Sequence, residues 1–458
     1  MKEKYKKYIG NKAFYMMVMA IAVPIMIQNG LTNFVNLLDN IMVGRLGTEE
    51  MSGVSIVNQI IFVYNLCIFG GTAGVGIFTA QYFGQKNDEG IRSTFRYKIW
   101  LALIITVGAA FLLLFFGKQL ILLYLMGENG GNEKLALEYG MTYLRIILLD
   151  LPAFMILQVY ASTMRECGET VVPMKAGAAA VAVNLIFNYL LIYGKFGFPR
   201  LGVAGAAVAT VISQGVSVVL CILYIFLRVK ILLPEKQHFR VGSHLYWELF
   251  SQSISMGLMS SIVSAGSVVL QYGINGLGTL VIAGHTAARK LLSFTTMPVM
   301  AMASACSTFV SQNRGANQPE RVRKGMKEIA LYSVAVAVLA IFLMQLGAEW
   351  MVQLISGSSE PVVLENGARY LLWNAPFYSV LGVLLATRYA LQSLGQKVLP
   401  LFSSVIELVG KVVFVLFFIP KFAYNAVILC EPIIWCFMAA YLVLVYLHDP
   451  FVFPKKAE

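Results

Sequence analysis

The two halves of this chain repeat one another at a nearly constant spacing. At an offset of 231 residues, the second half repeats Leu46, Gly47, Thr48, Gly53, Phe78, Gln81, Gly84, Glu89 and Arg92. At an offset of 227 residues, Gly140 and Tyr143 align with Gly367 and Tyr370. Duplicated halves are common in transporter folds, where two similar bundles move about the cleft between them. The repeat therefore restricts the fold to two similar units and favours a transport function.

The chain is also apolar along its whole length. Of its 458 residues, 58% are hydrophobic and 13% are charged, which is too little charge to cover the surface of a soluble protein of this size. Apolar runs of about 20 residues, enough to cross a bilayer, recur along the sequence. They are centred in twelve segments, near 14–43, 51–83, 95–117, 136–162, 172–194, 202–227, 247–274, 280–312, 326–349, 362–393, 398–419 and 425–447. The alternating polarity of membrane β-strands is missing from these runs. We therefore predict an all-α membrane protein with twelve transmembrane helices.

The even number of spans in each half determines how the halves are related. Six spans per half place matching loops on the same side of the membrane, which makes the two six-helix lobes parallel copies. We expect a pseudo-two-fold axis along the membrane normal. The longest connection falls at the repeat boundary, so we predict an N-lobe over 1–230, a cytoplasmic linker over 231–244 and a C-lobe over 245–458.

Positive charge is distributed unequally between the two sides of the membrane. The loops on the side of the termini carry 23 lysines and arginines, and the opposite loops carry eight. The positive-inside rule places both termini in the cytoplasm of a multi-pass protein of the cell membrane. The net charge of +12 reflects this topology, so we expect no nucleic-acid partner. The first apolar run lacks a cleavage site for a signal peptide, and we interpret it as the first span.

Nothing in the pattern of reactive residues favours an enzyme. The acidic residues are dispersed, the four histidines are scattered, and the six cysteines have no metal-ligand spacing. An intramembrane transferase would need clustered acids for Mg²⁺ or a Ser/His constellation. We therefore expect no enzymatic activity, no bound metal and no cofactor apart from a coupling ion.

The strongest functional candidate is Asp39, late in the first span. Ionisable groups inside spans are costly and often functional. Asp39 lies about 60° around the helix from the nearest edge of a stripe of amides at helical spacing, formed by Asn29, Asn33, Asn36 and Asn40. A polar stripe on a spanning helix faces protein or water rather than lipid. We interpret Asp39 as a carboxylate that exchanges H⁺ or Na⁺; the alternative is an interfacial residue near the outer end of the helix.

Pro24 stands fifteen residues before Asp39 on the same predicted helix. It removes a backbone hydrogen bond and permits a bend.

In the fifth span, Asn184 and Asn188 are one turn apart and share a face, where they either join helices or coordinate an ion or substrate. Asp150 is a second acid of the N-lobe, but the charge of the nearby Arg145 leaves open how deep in the membrane it lies.

The C-lobe has its own candidate polar site. Glu407 and Lys411 are four residues apart in the favourable order for an ion pair within a helix. We expect a structural pair, with recognition of substrate charge as the alternative. Arg289 is included in this site as a further charge. Lys290, Arg388 and Glu431 have no assigned role, and His285 is interpreted as a packing or helix-end residue.

Several motifs together resemble the multidrug and toxic compound extrusion (MATE) family, within the larger multidrug, oligosaccharidyl-lipid and polysaccharide exporter superfamily. They are the first span from Pro24 through Asp39 to Gly47, the segments at 80–84 and 311–315, and the segments at 168–173 and 395–400. The resemblance implies cation-coupled antiport that exports amphipathic, often cationic drugs by alternating access. It also implies small-molecule partners, surrounding membrane lipids and a monomer.

The resemblance carries roles to individual positions. It makes Asp39 the coupling carboxylate, Pro24 the point where the first helix bends, and Tyr143, Asn184 and Asn188 the polar residues around the carboxylate. This sequence has Asn188 where one prokaryotic subgroup often has Asp. The stretch 260–264 also lacks the acid that another bacterial subgroup carries in the seventh span. The coupling ion is therefore left open between H⁺ and Na⁺.

A second function remains open at this point. A related exporter that flips a lipid-linked saccharide or another anionic lipid would need cations around its cavity to hold a pyrophosphate. Four C-lobe cations keep this alternative open, namely Arg289, Lys290, Arg388 and Lys411.

Overall fold

The structure is a computed structural model that describes residues 12–125, 132–228 and 243–454. Regular secondary structure in these ranges is entirely helical. The helices are α1 (Lys12–Gly44), α2 (Thr48–Gly84), α3 (Asp88–Leu125), α4 (Glu133–Ile147), α5 (Asp150–Glu166), α6 (Val171–Tyr193), α7 (Val203–Arg228), α8 (Ser243–Asn275), α9 (Thr279–Thr295), α10 (Met297–Gly315), α11 (Pro319–Ser356), α12 (Pro361–Asn374), α13 (Tyr378–Ser393), α14 (Val398–Val413), α15 (Ile419–Phe422) and α16 (Tyr424–Leu447). A 3₁₀ turn, Ala375–Phe377, joins α12 to α13, and a π-helical turn, Phe414–Phe418, joins α14 to α15. The prediction of an all-α membrane fold is confirmed.

The described helices account for the predicted spans. Ten are long and apolar enough to cross a membrane, and the number rises to twelve when two bent helix pairs each form one span. The pairs are α4–α5, bent by 50°, and α9–α10, bent by 44°. Pro152 and Pro298 lie in the first turns of α5 and α10. Because proline has no N–H group to continue a preceding helix, each favours a new helix start at the bend.

The sequence repeat is reproduced in the helix packing. A Cβ atom on Gly53 of α2 would lie 2.5 Å from the carbonyl oxygen of Ala136 on α4. A Cβ atom on Gly284 of α9 would lie 2.6 Å from the carbonyl oxygen of Val363 on α12. These residues are the repeat partners of one another at the offsets of 231 and 227. Both halves therefore use glycine to bring two helix backbones into direct contact.

Two compact units divide the described chain. One contains Ile27–Phe83 and Asn87–Ile254 and is called the N-unit; the other contains the remaining described residues and is called the C-unit. Each has its own core of buried apolar side chains, which includes Val57 and Ile121 in the N-unit and Ala288 and Leu442 in the C-unit. The predicted linker over 231–244 lies outside the described residues up to 242, and the lobe bounds stay a prediction.

Candidate functional site

A chain of hydrogen bonds in the N-unit begins at Asp39. The Nδ2 atom of Asn188 on α6 donates to Oδ1 of Asp39 on α1. The same Nδ2 donates to Oδ1 of Asn184 at 2.9 Å, and Asn184 Nδ2 donates to the Thr210 hydroxyl on α7 at 3.5 Å. The four-residue spacing on α6 places both amides on one helix face, as the sequence predicts. The structure thus joins Asp39, Asn184, Asn188 and Thr210, which together are called the Asp39 cluster.

Tyr143 and Asp150 lie close to this cluster. Tyr143 on α4 is buried, and its hydroxyl faces the side chains of Thr210 and Asn58. Asp39 and Asp150 both act electrostatically on that hydroxyl. Asp150 is the first residue of α5 and is buried, with an Oδ1 atom that has no hydrogen-bond partner in the described part of the chain. The structure therefore places this second acid inside the N-unit, next to the bend between α4 and α5.

The Asp39 carboxylate accepts a hydrogen bond from the Asn188 amide and forms no ion pair with the described side chains. The Oδ1 atom of Asn188 is buried and accepts no hydrogen bond from the residues that the structure describes. Asn29, Asn33 and Asn40 are exposed on α1, whereas the side chain of Asn36 lies outside the described part of the chain. Carboxylate, amide and hydroxyl oxygens are the donors that hard cations prefer. The cluster has the chemistry to bind either H⁺ on the carboxylate or a small cation among these oxygens.

Pro24 lies fifteen residues away on the same helix, within the C-unit. It is buried, and the helical backbone of α1 continues across it from Lys12 to Gly44. The structure does not bring Pro24 into the Asp39 cluster. Its role as a bend stays a prediction.

The C-unit contains a continuous chain of charges. The Nζ atom of Lys411 lies 2.9 Å from Glu407 Oε1, within α14. The same Nζ lies 3.9 Å from Oε1 of Glu431 on α16, and Arg388 Nη2 of α13 lies 3.9 Å from Glu407 Oε2. Glu431 also accepts hydrogen bonds at 2.7 Å from Arg289 Nη1 of α9, one to each carboxylate oxygen. These five residues are called the C-unit network.

Neutral side chains complete the network. The Tyr370 hydroxyl on α12 donates to Glu431 Oε2 at 2.7 Å, and Arg388 Nε donates to the Ser403 hydroxyl at 3.0 Å. Tyr370 is the repeat partner of Tyr143, so each unit places the matching tyrosine beside its own buried charges. His285 packs edge-on against Tyr370 and lies 3.2 Å from the Tyr424 hydroxyl. That position is the packing role expected for this histidine.

The sequence indicated only part of this network. It paired Glu407 with Lys411 because both lie on one helix, but Arg388 and Glu431 had no assigned partner. Glu431 lies 142 residues from Arg289 along the chain, so no helical spacing relates them. Two features of the sequence could have indicated the network. Each of these charges lies within an apolar run, and Tyr370 is the repeat partner of Tyr143.

A buried ion pair in the N-unit was missed entirely. Lys98 on α3, counted among the loop cations in the topology argument, has a side chain with 0% exposure and pairs with Glu166 at the end of α5. Its ammonium group also donates to Thr163 at 3.2 Å and to Ser162 at 3.4 Å. All three ammonium protons therefore have acceptors, as a buried lysine requires.

Comparison with known proteins identifies the family. The MatE family profile matches residues 24–190 and 256–417. The chain is 27% identical over 334 residues to the probable multidrug resistance protein NorM of Thermotoga maritima, covering 70% of this chain and 69% of that protein. It is 24% identical over 450 residues to the probable multidrug resistance protein YoeA of Bacillus subtilis, covering 95% and 93%. A solved outward-facing structure of a multidrug resistance MATE family transporter has the same fold, with a TM-score of 0.84, 20% identity and coverage of 95% and 97%. This chain belongs to the MatE family.

Proposed function

We propose that this protein is a cation-coupled antiporter that exports amphipathic, often cationic drugs and other toxic organic compounds across the cell membrane. The observation that carries the proposal is the Asp39 carboxylate, which lies in a spanning helix and is hydrogen-bonded to Asn188 without a described counter-ion. The names of the relatives support the export of drugs, since both are probable multidrug resistance proteins.

The local geometry supports a mechanism for the coupling ion. Asn188 Nδ2 donates to a negative carboxylate, and such a charge-assisted hydrogen bond weakens when the carboxylate is neutralised. The same amide is linked through Asn184 to Thr210 on α7. Binding of H⁺ or Na⁺ to Asp39 therefore changes the contacts among α1, α6 and α7. We infer that this change favours one of the two conformations of an alternating-access cycle. In that cycle, drug leaves to the outside and the ion leaves to the cytoplasm.

The membrane potential supplies a useful driving force for such a cycle. One elementary charge that crosses 100 mV provides ~2.3 kcal/mol. Since ~1.4 kcal/mol corresponds to a tenfold concentration ratio, this sustains an outward gradient of roughly fiftyfold for a compound without net charge. One-for-one exchange with a monovalent cationic drug moves no net charge, and the concentration gradient of the coupling ion then drives export. A proton or sodium concentration gradient adds to that value. Coupling to one ion is thus sufficient for effective export.

The charges of the C-unit support the choice of Asp39 over the acids there. Glu407 and Glu431 already pair with three cations, Lys411, Arg388 and Arg289. A carboxylate that is neutralised by a fixed cation has little affinity for a mobile one.

The flippase alternative is not favoured, because the same pairing leaves few charges to hold a pyrophosphate and because the relatives are multidrug resistance proteins. We also propose a non-enzymatic monomer with both termini in the cytoplasm.

The test is efflux of ethidium from proteoliposomes under an imposed pH gradient and, separately, a sodium gradient. The wild type should respond to one gradient, and Asp39→Asn should lose that response because it cannot exchange a proton or bind a cation as a carboxylate. Glu138→Gln is the matched control, since it removes an exposed carboxylate from α4 of the same unit.

The outcomes separate the parts of the proposal. Gradient-driven efflux that persists in Asp39→Asn would remove this residue from the mechanism and leave Asp150 as the next acid to replace. A wild type that exports no cationic dye under either gradient would contradict drug export itself. Equal loss in Asp39→Asn and Glu138→Gln would show that the defect is not specific to the cluster.

A further inference from the structure

An apolar groove of about 530 Å³ lies between α14 and α16 in the C-unit. Its walls include side chains from both helices and from the π-helical turn and α15 that follow α14, among them Ile406, Phe414, Phe418, Phe422, Leu429 and Phe437. Among the described residues that line the groove, Asn425 alone has a polar side chain. Volumes of this size are usual for ligand sites. The groove is therefore large enough for a ligand, and its lining suits a hydrocarbon.

The groove opens toward the hydrocarbon of the bilayer. The helices on both sides of it belong to candidate membrane spans, and Phe422 and Phe437 are exposed. A water-filled cavity would need a polar lining, so an exposed apolar groove in a span faces lipid tails. Asn425 and Phe437 are twelve residues apart on α16, which is about 18 Å. One leaflet contributes ~15 Å of hydrocarbon, so the groove has the length of one acyl chain.

One wall of the groove contains a row of stacked phenylalanine rings. The ring centroids of Phe414 and Phe418 are 4.8 Å apart with 28° between the ring planes, and those of Phe418 and Phe422 are 6.4 Å apart with 24°. The first pair begins and ends the π-helical turn, a departure from α-helical geometry that is frequent at functional sites. Near-parallel rings form a flat apolar surface, against which an extended hydrocarbon chain gains many small contacts.

The end of the groove at Asn425, called the polar end, carries cationic side chains. Asn425 Oδ1 accepts a hydrogen bond from Arg369 Nη2 of α12 at 2.7 Å. The side chain of Arg369 is 42% exposed, and its Nη1 atom lies 3.8 Å from Oε1 of Glu365, which is 69% exposed. Lys421, directly before Phe422 of the groove wall, is also exposed. These groups are two cations and one carboxylate, so the polar end has an excess of one positive charge.

The backbone at the polar end has an unusual conformation. Ala423, between α15 and α16, has φ 48° and ψ −130°, a combination that residues other than glycine rarely adopt. Such residues persist where the surrounding structure holds them, and they are concentrated at functional sites such as ligand clamps. The turn at Ala423 sets the start of α16 beside the end of α15, so that Phe422 and Asn425 both line the groove.

We propose that this groove binds one anionic phospholipid, whose acyl chain lies between α14 and α16 and whose phosphate contacts Arg369 and Lys421. Guanidinium groups bind phosphate oxygens through paired N–H donors, and basic side chains beside spanning helices attract anionic headgroups. One excess cation balances the single negative charge of phosphatidylglycerol. A cationic drug would meet like charge at the polar end and no acid among the described lining residues, which favours lipid as the occupant.

A lipid in this groove joins two helices that carry part of the C-unit network. Lys411 on α14 and Glu431 on α16 lie 3.9 Å apart across the same pair of helices. A ligand that binds only the folded protein stabilises it according to its occupancy. Bound phosphatidylglycerol should therefore raise the thermal unfolding midpoint.

The test is native mass spectrometry of the transporter in a neutral detergent, after incubation with equal amounts of phosphatidylglycerol and phosphatidylcholine that have the same acyl chains. We expect the wild type to retain one phosphatidylglycerol. Arg369→Gln should reduce this retention about tenfold, the usual value of a charged hydrogen bond, and leave phosphatidylcholine within about twofold. Arg369→Lys keeps the charge and should recover part of the loss. The unfolding midpoint with and without phosphatidylglycerol is the second readout.

Two matched controls accompany a variant that fills the groove. Leu429→Trp should reduce the retention of both lipids, because the larger side chain occupies the space of the acyl chain. Val409→Trp is its control, since Val409 is exposed on α14 but does not line the groove. Lys118→Gln is the control for charge, since it removes an exposed cation from α3 of the N-unit. Neither control should change the retention of either lipid.

Three results would overturn the inference. They are equal retention of phosphatidylglycerol in the wild type and Arg369→Gln, unchanged retention in Leu429→Trp, and a loss in Lys118→Gln as large as that in Arg369→Gln. Glycerol phosphate, the headgroup without acyl chains, tests the source of the phosphate. If it displaces phosphatidylglycerol as well as the whole lipid does, the ligand is a free phosphate and not a lipid. Dimers or bound ethidium that disappear in Leu429→Trp would instead assign the groove to a second copy of the chain or to a drug.

Discussion

The close contact between α2 and α4 allows one substitution to be predicted from geometry. In Gly53→Ala, the new Cβ atom would lie 2.5 Å from the carbonyl oxygen of Ala136 and 2.8 Å from the amide nitrogen of Gly140. Ordinary contacts between carbon and a carbonyl oxygen are about 3.4 Å. Since both nearest atoms are backbone, no side-chain rotation relieves the clash, and the helices have to separate by about 1 Å.

Two effects of opposite sign then compete. Overpacking of a tight contact costs about 1–3 kcal/mol of unfolding free energy. Alanine in place of glycine within a helix gains about 0.5–1 kcal/mol. We expect the overpacking to exceed the gain, so Gly53→Ala should be less stable than the wild type. Gly108→Ala is the matched control, because a Cβ atom on Gly108 of α3 meets nothing within 4 Å and only the gain applies.

The measurement is the thermal unfolding midpoint of the purified proteins in one detergent. The midpoint of Gly53→Ala should lie below that of the wild type, and the midpoint of Gly108→Ala should lie at or above it. The two variants should differ by about 2 kcal/mol in unfolding free energy. Gly284→Ala, the repeat partner, should follow Gly53→Ala because its Cβ atom would lie 2.6 Å from the Val363 carbonyl oxygen. If Gly53→Ala were as stable as Gly108→Ala, the reasoning from backbone contact would be refuted.

Four further substitutions test the buried polar groups. Lys98→Met should lower the unfolding free energy by about 3–5 kcal/mol because Glu166 keeps a buried charge without its lysine. Adding Glu166→Leu should recover part of that loss in denaturant unfolding, and no recovery would contradict a dominant charge effect. Glu431→Gln should lower the unfolding midpoint, since Arg289 loses its carboxylate; a midpoint equal to wild type would argue against the C-unit network. Asn188→Leu should reduce gradient-driven efflux about tenfold through the lost hydrogen bond to Asp39, and unchanged coupling would exclude that bond from the mechanism.

The sequence by itself determined the class of protein, the positions of the spans and the duplication. These properties depend on hydrophobicity and on spacing within one helix, which are written in consecutive residues. For the same reason it placed Glu407 beside Lys411 and put Asn184 and Asn188 on one face. The contact of Asp39 with Asn188 was implied by the family resemblance and not by the spacing of the residues.

The tertiary structure alone decided which charges meet. Asp39 and Asn188 are 149 residues apart, and Arg289 and Glu431 are 142 residues apart. Lys98 shows the same limit, because a cation near a helix end is equally compatible with a loop and with a buried pair to Glu166. Partners on different helices depend on how the helices pack and where they bend, and helical periodicity carries no information about either. The counter-ions of buried charges, and hence the binding chemistry of each unit, therefore follow from the packed structure.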